Sequence, residues 1–280
     1  MADWPNDFFD IPYGPLPVTE RIQLEGNKIV SAIAEARFLR NEPGVSDFQA
    51  DQIREILGKE LFPFLEQGEQ RLVNLTVTDG GVESSQDVVR VWQLFNEQRT
   101  LTVTLAPLAV NIQVLNYTHY QESIAEIFAE ALRAYSEVTD SVYIQRLGLR
   151  YVNRLTDADA KQPTFWSSIL TTSFAGPTVG PLGAFVQGAR QQVQLQLEPT
   201  VGSVINSAIF QDLEAPGSYG CLLDIDVYDD KAVTFEPTEI SNLTRKLNRT
   251  AYGLFAQTLT SEFLDKLKPK NFEESEGDFE

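Results

Sequence analysis

The chain has 280 residues, with 40 acidic against 22 basic side chains, a formal net charge of -18 and 42% hydrophobic content. These values suit a globular fold with its own core. They point away from direct nucleic-acid binding, where phosphate attraction dominates affinity, and from docking on anionic lipid. The single cysteine, Cys221, permits no intrachain disulfide. The opening residues lack the basic and apolar segments of a secretory signal, and no apolar run approaches the roughly 18 residues that span a bilayer. A cytoplasmic protein is therefore expected.

Residues 1–24 hold Pro5, Pro12, Pro15 and Pro17 and read as an irregular arm. The strand Ile29–Phe38 follows, with Val30, Ala32, Ala34, Ala36 and Phe38 on one small apolar face and Ile33, Glu35 and Arg37 on the other. Ser46 and Gln49 form a capping-box pattern ahead of the stripe Ile53, Ile56, Leu57 and Leu61, a helix expected to stop near Pro63. Strands are expected at 72–77, before the turn Asp79–Gly80–Gly81, then at 88–95, 100–105 and 110–115, with Asn96–Glu97–Gln98 as a hairpin loop. Such consecutive hairpins imply an antiparallel sheet.

Thr118 and Gln121 form a second capping-box pattern before the stripe Ile124, Ile127, Phe128, Ala131, Leu132 and Tyr135. After the strand that follows this helix, residues 156–184 read as an irregular excursion rich in Gly and Pro. Strands are expected again at 189–197, 204–210 and 221–228, then one helix from Pro237 to near Leu267, roughly 45 Å long. The acidic end, 271–280, cannot bury enough apolar surface to order itself.

These elements define an α+β chain of two antiparallel modules, each followed by a long helix packed across its sheet, an order that suggests structural duplication. The boundaries are 1–24 for the arm, 25–155 for the first module, 156–184 for the excursion, 185–267 for the second module and 268–280 for the acidic tail.

The most distinctive stretch lies at 146–155. Period-two geometry puts Arg146, Gly148, Arg150, Val152 and Arg154 on one face and Leu147, Leu149, Tyr151, Asn153 and Leu155 on the other. Three guanidinium groups thus line one face, each roughly 13 Å from the next. In so acidic a chain they meet the chain's own carboxylates, an anionic partner or water. Asp224 and Asp226 share a face with Tyr228 on a later strand and are the first candidates to pair with Arg150 and Arg154. The same two carboxylates could instead serve a divalent cation or acid–base chemistry, although no third ligand is placed by the sequence.

Little else suggests catalysis. His119 is the only histidine, too few for a metal cluster or a Ser-His-Asp arrangement. Cys221 starts a strand and reads as an inert buried thiol. No phosphate-binding glycine motif joins a strand to a helix, so no cofactor is expected. Catalytic, cofactor and metal residues are accordingly assigned to none, and Arg146, Arg150, Arg154, Asp224 and Asp226 form a candidate interaction or salt-bridge face.

The strand RLGLRYVNRL at 146–155 resembles the hallmark of a sporadically distributed prokaryotic family of uncharacterised proteins. Glu35 and Arg37–Phe38 in the first strand, Phe62–Pro63 after the first helix, the strands of 91–114, and Asn116 with Tyr120 fit the same pattern. The likeness covers roughly 25–265 and is most specific in 91–155; the chain departs from it at Ala32–Ile33–Ala34 and in the 156–184 loop. The resemblance brings no catalytic residues. The patchy distribution of the family resembles that of mobile genes, including phage-defence and toxin–antitoxin components. The leading expectation is a non-catalytic interaction component, regulatory, antitoxin-like or sensory, with a protein partner encoded by a neighbouring gene; homo-oligomerisation stays open. The alternatives are a small-molecule module with a sheet-and-helix cavity and a carboxylate-dependent metal hydrolase.

Overall fold

Alternating apolar and polar side chains draw the strands of this chain into one antiparallel sheet. A computed structural model describes residues 28–39, 44–78, 81–141 and 143–267, and within 70–87 the backbone alone. The expected arm at 1–24, the turn residues 79–80 and the acidic tail lie outside the described residues. The elements are β1 (Ile29–Phe38), α1 (Asp47–Leu57), β2 (Phe64–Thr78), β3 (Gly81–Phe95), β4 (Leu101–Ala106), β5 (Ala109–Val114), α2 (Glu126–Thr139) and β6 (Tyr143–Leu155). They continue with α3 (Thr172–Ala175), β7 (Ala189–Gln196), β8 (Val201–Gln211), β9 (Tyr219–Asp229), β10 (Val233–Thr234), α4 (Pro237–Thr258) and α5 (Ser261–Lys266).

The strands run in the order β2-β3-β4-β5-β1-β6-β9-β8-β7, with β10 pairing one end of β6. The fold is α+β, and a single sheet runs through both expected modules, with β6 paired to β1 on one side and to β9 on the other. The two halves share an order of connection. In each, the first strand (β1 or β6) is paired by the last strand of a meander (β5 or β9), and a long helix then crosses behind that pair.

The inner face is a continuous core. Ala32, Ala34 and Ala36 are fully buried in β1, and their small side chains let the segment leading into α2 approach closely. α2 contributes Phe128, Leu132 and Tyr135, the last with its ring 4.6 Å from that of Phe38. α4 lies on β6 and β9 and buries Ile240, Leu247 and Leu254. Two hydroxyls tie these layers together: Tyr120 donates to Thr244 Oγ1 at 2.8 Å and Tyr151 to Asn248 Oδ1 at 2.8 Å.

Four expectations need correction. The first helix has its Ser46–Gln49 capping box but stops at Gly58, whose φ of +94° ends it well before Pro63 and leaves Leu61 exposed. β2 begins at Phe64 rather than 72, because it pairs with β3 along its whole length. The second capping box does not form. Instead Ser123 Oγ accepts from the Thr118 N–H, and Gln121–Ala125 winds as one π-helical turn before α2. The last helix is broken at Leu259–Thr260, where both residues are extended. Leu259 bridges to Leu170 there, and the Thr258 carbonyl accepts from the Thr171 N–H, so the excursion takes up backbone groups that a continuous helix would have used.

The excursion itself is packed rather than loose. Trp166, Ile169, Leu170 and Ala175 are buried in the same core, and its short turns lie against β7 and β8.

Candidate polar face

The opposite face of the sheet carries no helix among the described residues. Its centre is set by register. On β6, Gly148 faces Glu35 of β1 and Tyr228 of β9, Arg150 faces Ile33 and Asp226, and Val152 faces Ser31 and Asp224. The next strand, β8, sets Gly202 beside Tyr228, Val204 beside Asp226 and Asn206 beside Asp224. Strand alternation brings all these side chains to one side.

Arg150 binds Asp224 through a two-pronged contact: Nε donates to Oδ1 and Nη2 to Oδ2, each at 2.7 Å. Asp224 is only 5% exposed, and Asn206 Nδ2 donates to its Oδ2 at 3.2 Å. Gln192 in turn donates to Asn206 Oδ1 at 2.8 Å, so one polar chain crosses β7, β8, β9 and β6. Hydrogen bonding to Asp224 raises the pKa of Arg150.

Arg146 is held differently. Its guanidinium sits 3.7 Å above the Tyr228 ring and donates to Asp230 at 3.1 Å. Beneath that ring lies Gly202, where a Cβ would come within 2.6 Å of Tyr228 Cζ. The glycine lets the tyrosine lie flat against β8, so Gly202, Tyr228 and Arg146 form a stack. Gly148 is roomier: an added Cβ would meet nothing nearer than 3.8 Å.

Arg154 finds partners that the strand pattern does not suggest. It donates to Asp212 at 2.8 Å and to Glu214 at 2.7 Å, both in the loop after β8, and Asp212 also accepts from the Glu214 N–H. Asp224 and Asp226 are therefore not its partners; the loop folds back over the end of β6 and reaches the guanidinium first.

Asp226 stands apart. Among the described residues no hydrogen bond or ion pair reaches its carboxylate. Burial pushes its pKa up; the positive charges of Arg146 and Arg150 oppose the shift, while Glu35 and Asp224 reinforce it.

Of the five residues singled out by the sequence, Arg146, Arg150, Asp224 and Asp226 meet at the centre of this face and Arg154 at its edge. Sequence reasoning missed Gly202, Asn206, Asp212, Glu214 and Asp230. The even spacing of Ile205 and Ile209, which puts Asn206 out of phase with both, is the signal that places Asn206 on the polar side.

Both oxygens of Asp224 are engaged by Arg150, and among the described residues no group of three or more His, Cys, Asp or Glu could hold a metal ion. His119 lies elsewhere, just ahead of the π-helical turn that leads into α2, 3.0 Å from Glu122. Cys221 is buried and its pKa is pushed up to about 12, so it stays a thiol at neutral pH. Among the described residues, no helix is long and apolar enough to cross a membrane. No protein-family model matches the chain, and no curated protein is found to be similar to it.

Proposed function

We propose that this protein is a non-catalytic interaction component that docks a partner protein on the uncovered face of its sheet. The observation that carries this reading is the stack of Arg146 on Tyr228 over Gly202, set beside Arg150 and Asp226, whose carboxylate has no partner among the described residues. Arginine and tyrosine dominate the energetically important positions of interfaces, and side chains already held in one conformation lose little entropy on binding. Asp226 offers a half-buried acceptor for a partner's donor. The net charge of -18 favours a partner with a basic surface, through steering and complementarity.

The likeness of the 146–155 strand to a patchily distributed prokaryotic family adds a genomic expectation. The partner is encoded beside this gene, in a mobile or phage-defence-linked system, and the chain acts in the cytoplasm as its regulatory, antitoxin-like or sensory subunit. The test is affinity capture from cells carrying the native gene neighbourhood, with wild-type and Asp226→Lys proteins side by side. Capture of a neighbour-encoded protein by the wild type and its loss with the variant, at equal melting temperature, supports the reading. Robust turnover of a small molecule by the pure protein, with no neighbour-encoded protein captured, contradicts it.

A further inference from the structure

A second feature lies on the opposite, helix-bearing side, where β6 ends. A cavity of about 200 Å³ is bounded there by Leu155, Trp166, Ile169, Phe263 and Leu267, with Lys28, Lys266, Thr156 and Asp157 also lining it. Three independent elements build it: the end of β6, the buried excursion and α5. Leu155, Trp166, Ile169 and Leu267 are at most 7% exposed, so its floor belongs to the core, while the exposed Thr156, Asp157 and Lys266 open it to solvent.

Two chemical facts distinguish this cavity from a packing gap. The indole Nε1–H of Trp166 is buried and has no acceptor among the described residues, although buried donors are almost always paired. Lys28 and Lys266 have no hydrogen-bonded or ion-paired carboxylate among the described residues, in a chain where acids outnumber bases 40 to 22. Asp157, an acid in the lining, is engaged with its own loop, its Oδ1 accepting from the Asp159 N–H at 2.8 Å. Apolar walls, a lining indole whose N–H lacks an acceptor and two lining lysines without a carboxylate partner, all among the described residues, point to an amphiphilic anion despite the one carboxylate of Asp157. A dry cavity of about 150 Å³ accepts a benzene ring. About 200 Å³ accommodates a ring or branched chain together with a carboxylate.

We propose that this cavity binds a small carboxylic acid with an aromatic or branched aliphatic body. The apolar body lies among Leu155, Ile169, Phe263 and Leu267, and the carboxylate is received by the lysines and the Trp166 N–H. This site is separate from the partner-docking face and does not depend on it. Its occupant would tie α5 to the excursion, two elements joined through the bridge at Leu170 and Leu259 and the Thr260 N–H to Ile169 carbonyl bond.

The experiment is calorimetric titration of the full chain with phenylacetate, 3-methylbutyrate and the neutral analogue phenylacetamide. The indole N–H resonance of Trp166 is followed in parallel by NMR and assigned with Trp166→Phe. The expected result is binding of at least one acid, a shift of that resonance, and affinity lower by roughly tenfold or more for the amide and for the Lys28→Ala/Lys266→Ala double variant. If no acid binds at millimolar concentration, the proposal is overturned. It is equally overturned if acid and amide bind alike, or if binding leaves the Trp166 resonance in place. The lysine variants alter only side chains at the cavity mouth, so they keep the test decisive should Trp166→Phe fold poorly.

Discussion

Arg150 passes over the carboxylate directly across from it, Asp226, and closes a two-pronged pair with the diagonal Asp224, 2.7 Å at each nitrogen. The choice follows from support: Asp224 is also held by Asn206, and pairing there leaves a nearly buried carboxylate fully bonded. Removing the guanidinium should strand that carboxylate. The Arg150 side chain is 46% exposed, so solvent can replace part of what is lost. Arg150→Ala is therefore expected to destabilise by about 1–2 kcal/mol, less than a fully buried pair would lose. Urea denaturation of wild type and variant checks this; an unchanged midpoint would mean the pair contributes nothing.

Asp226 predicts a pH dependence of known sign. Its pKa is raised in the folded protein, chiefly by burial, so the folded state binds the proton more tightly than the unfolded chain does. Its effect on stability is absent below the ordinary carboxylate range, where both states are protonated. As pH rises from that range through the raised folded pKa, stability is lost, and the loss is complete above it. Asp226→Asn should therefore stabilise the protein at neutral pH, with the difference from wild type fading as the pH falls to the ordinary carboxylate range. Denaturation midpoints across that window measure it, and a variant less stable at neutral pH would reverse the sign.

The two glycines of the polar face should respond differently to a methyl group. At Gly202 the added carbon collides with the Tyr228 ring, which must swing away from Arg146. Because the ring tip is the part displaced, Gly202→Ala should cost only about 1 kcal/mol, while the ring-current shift of the Arg146 side-chain resonances disappears. Gly148→Ala meets nothing closer than 3.8 Å and should stay within about 0.5 kcal/mol of wild type with those resonances unmoved. Equal behaviour of the two variants in the NMR spectrum would refute the stack.

The strand faces were legible because alternation is local: Arg146, Gly148, Arg150, Val152 and Arg154 could be placed on one side without knowledge of any neighbour. Strand order was not, since β6 pairs with a strand about 70 residues later through backbone groups that every residue carries. The partners of Arg154 were hidden for a related reason. Asp212 and Glu214 sit in a loop, where no periodicity predicts direction. The break in the last helix was invisible because Thr258, Leu259 and Thr260 include neither Pro nor Gly; the bridge to Leu170 makes it, and that is a tertiary event. The cavity at Trp166 likewise depends on three distant segments meeting.

The most direct test of the docking face is the affinity of the captured partner for three purified proteins: wild type, Tyr228→Ala, and Glu130→Ala as a control on the exposed side of α2. If the partner binds over the Arg146–Tyr228 stack, Tyr228→Ala should weaken binding by about 2 kcal/mol or more, roughly thirtyfold, and Glu130→Ala should leave it unchanged. Equal affinity for all three proteins would contradict the account, because the partner would then be bound elsewhere.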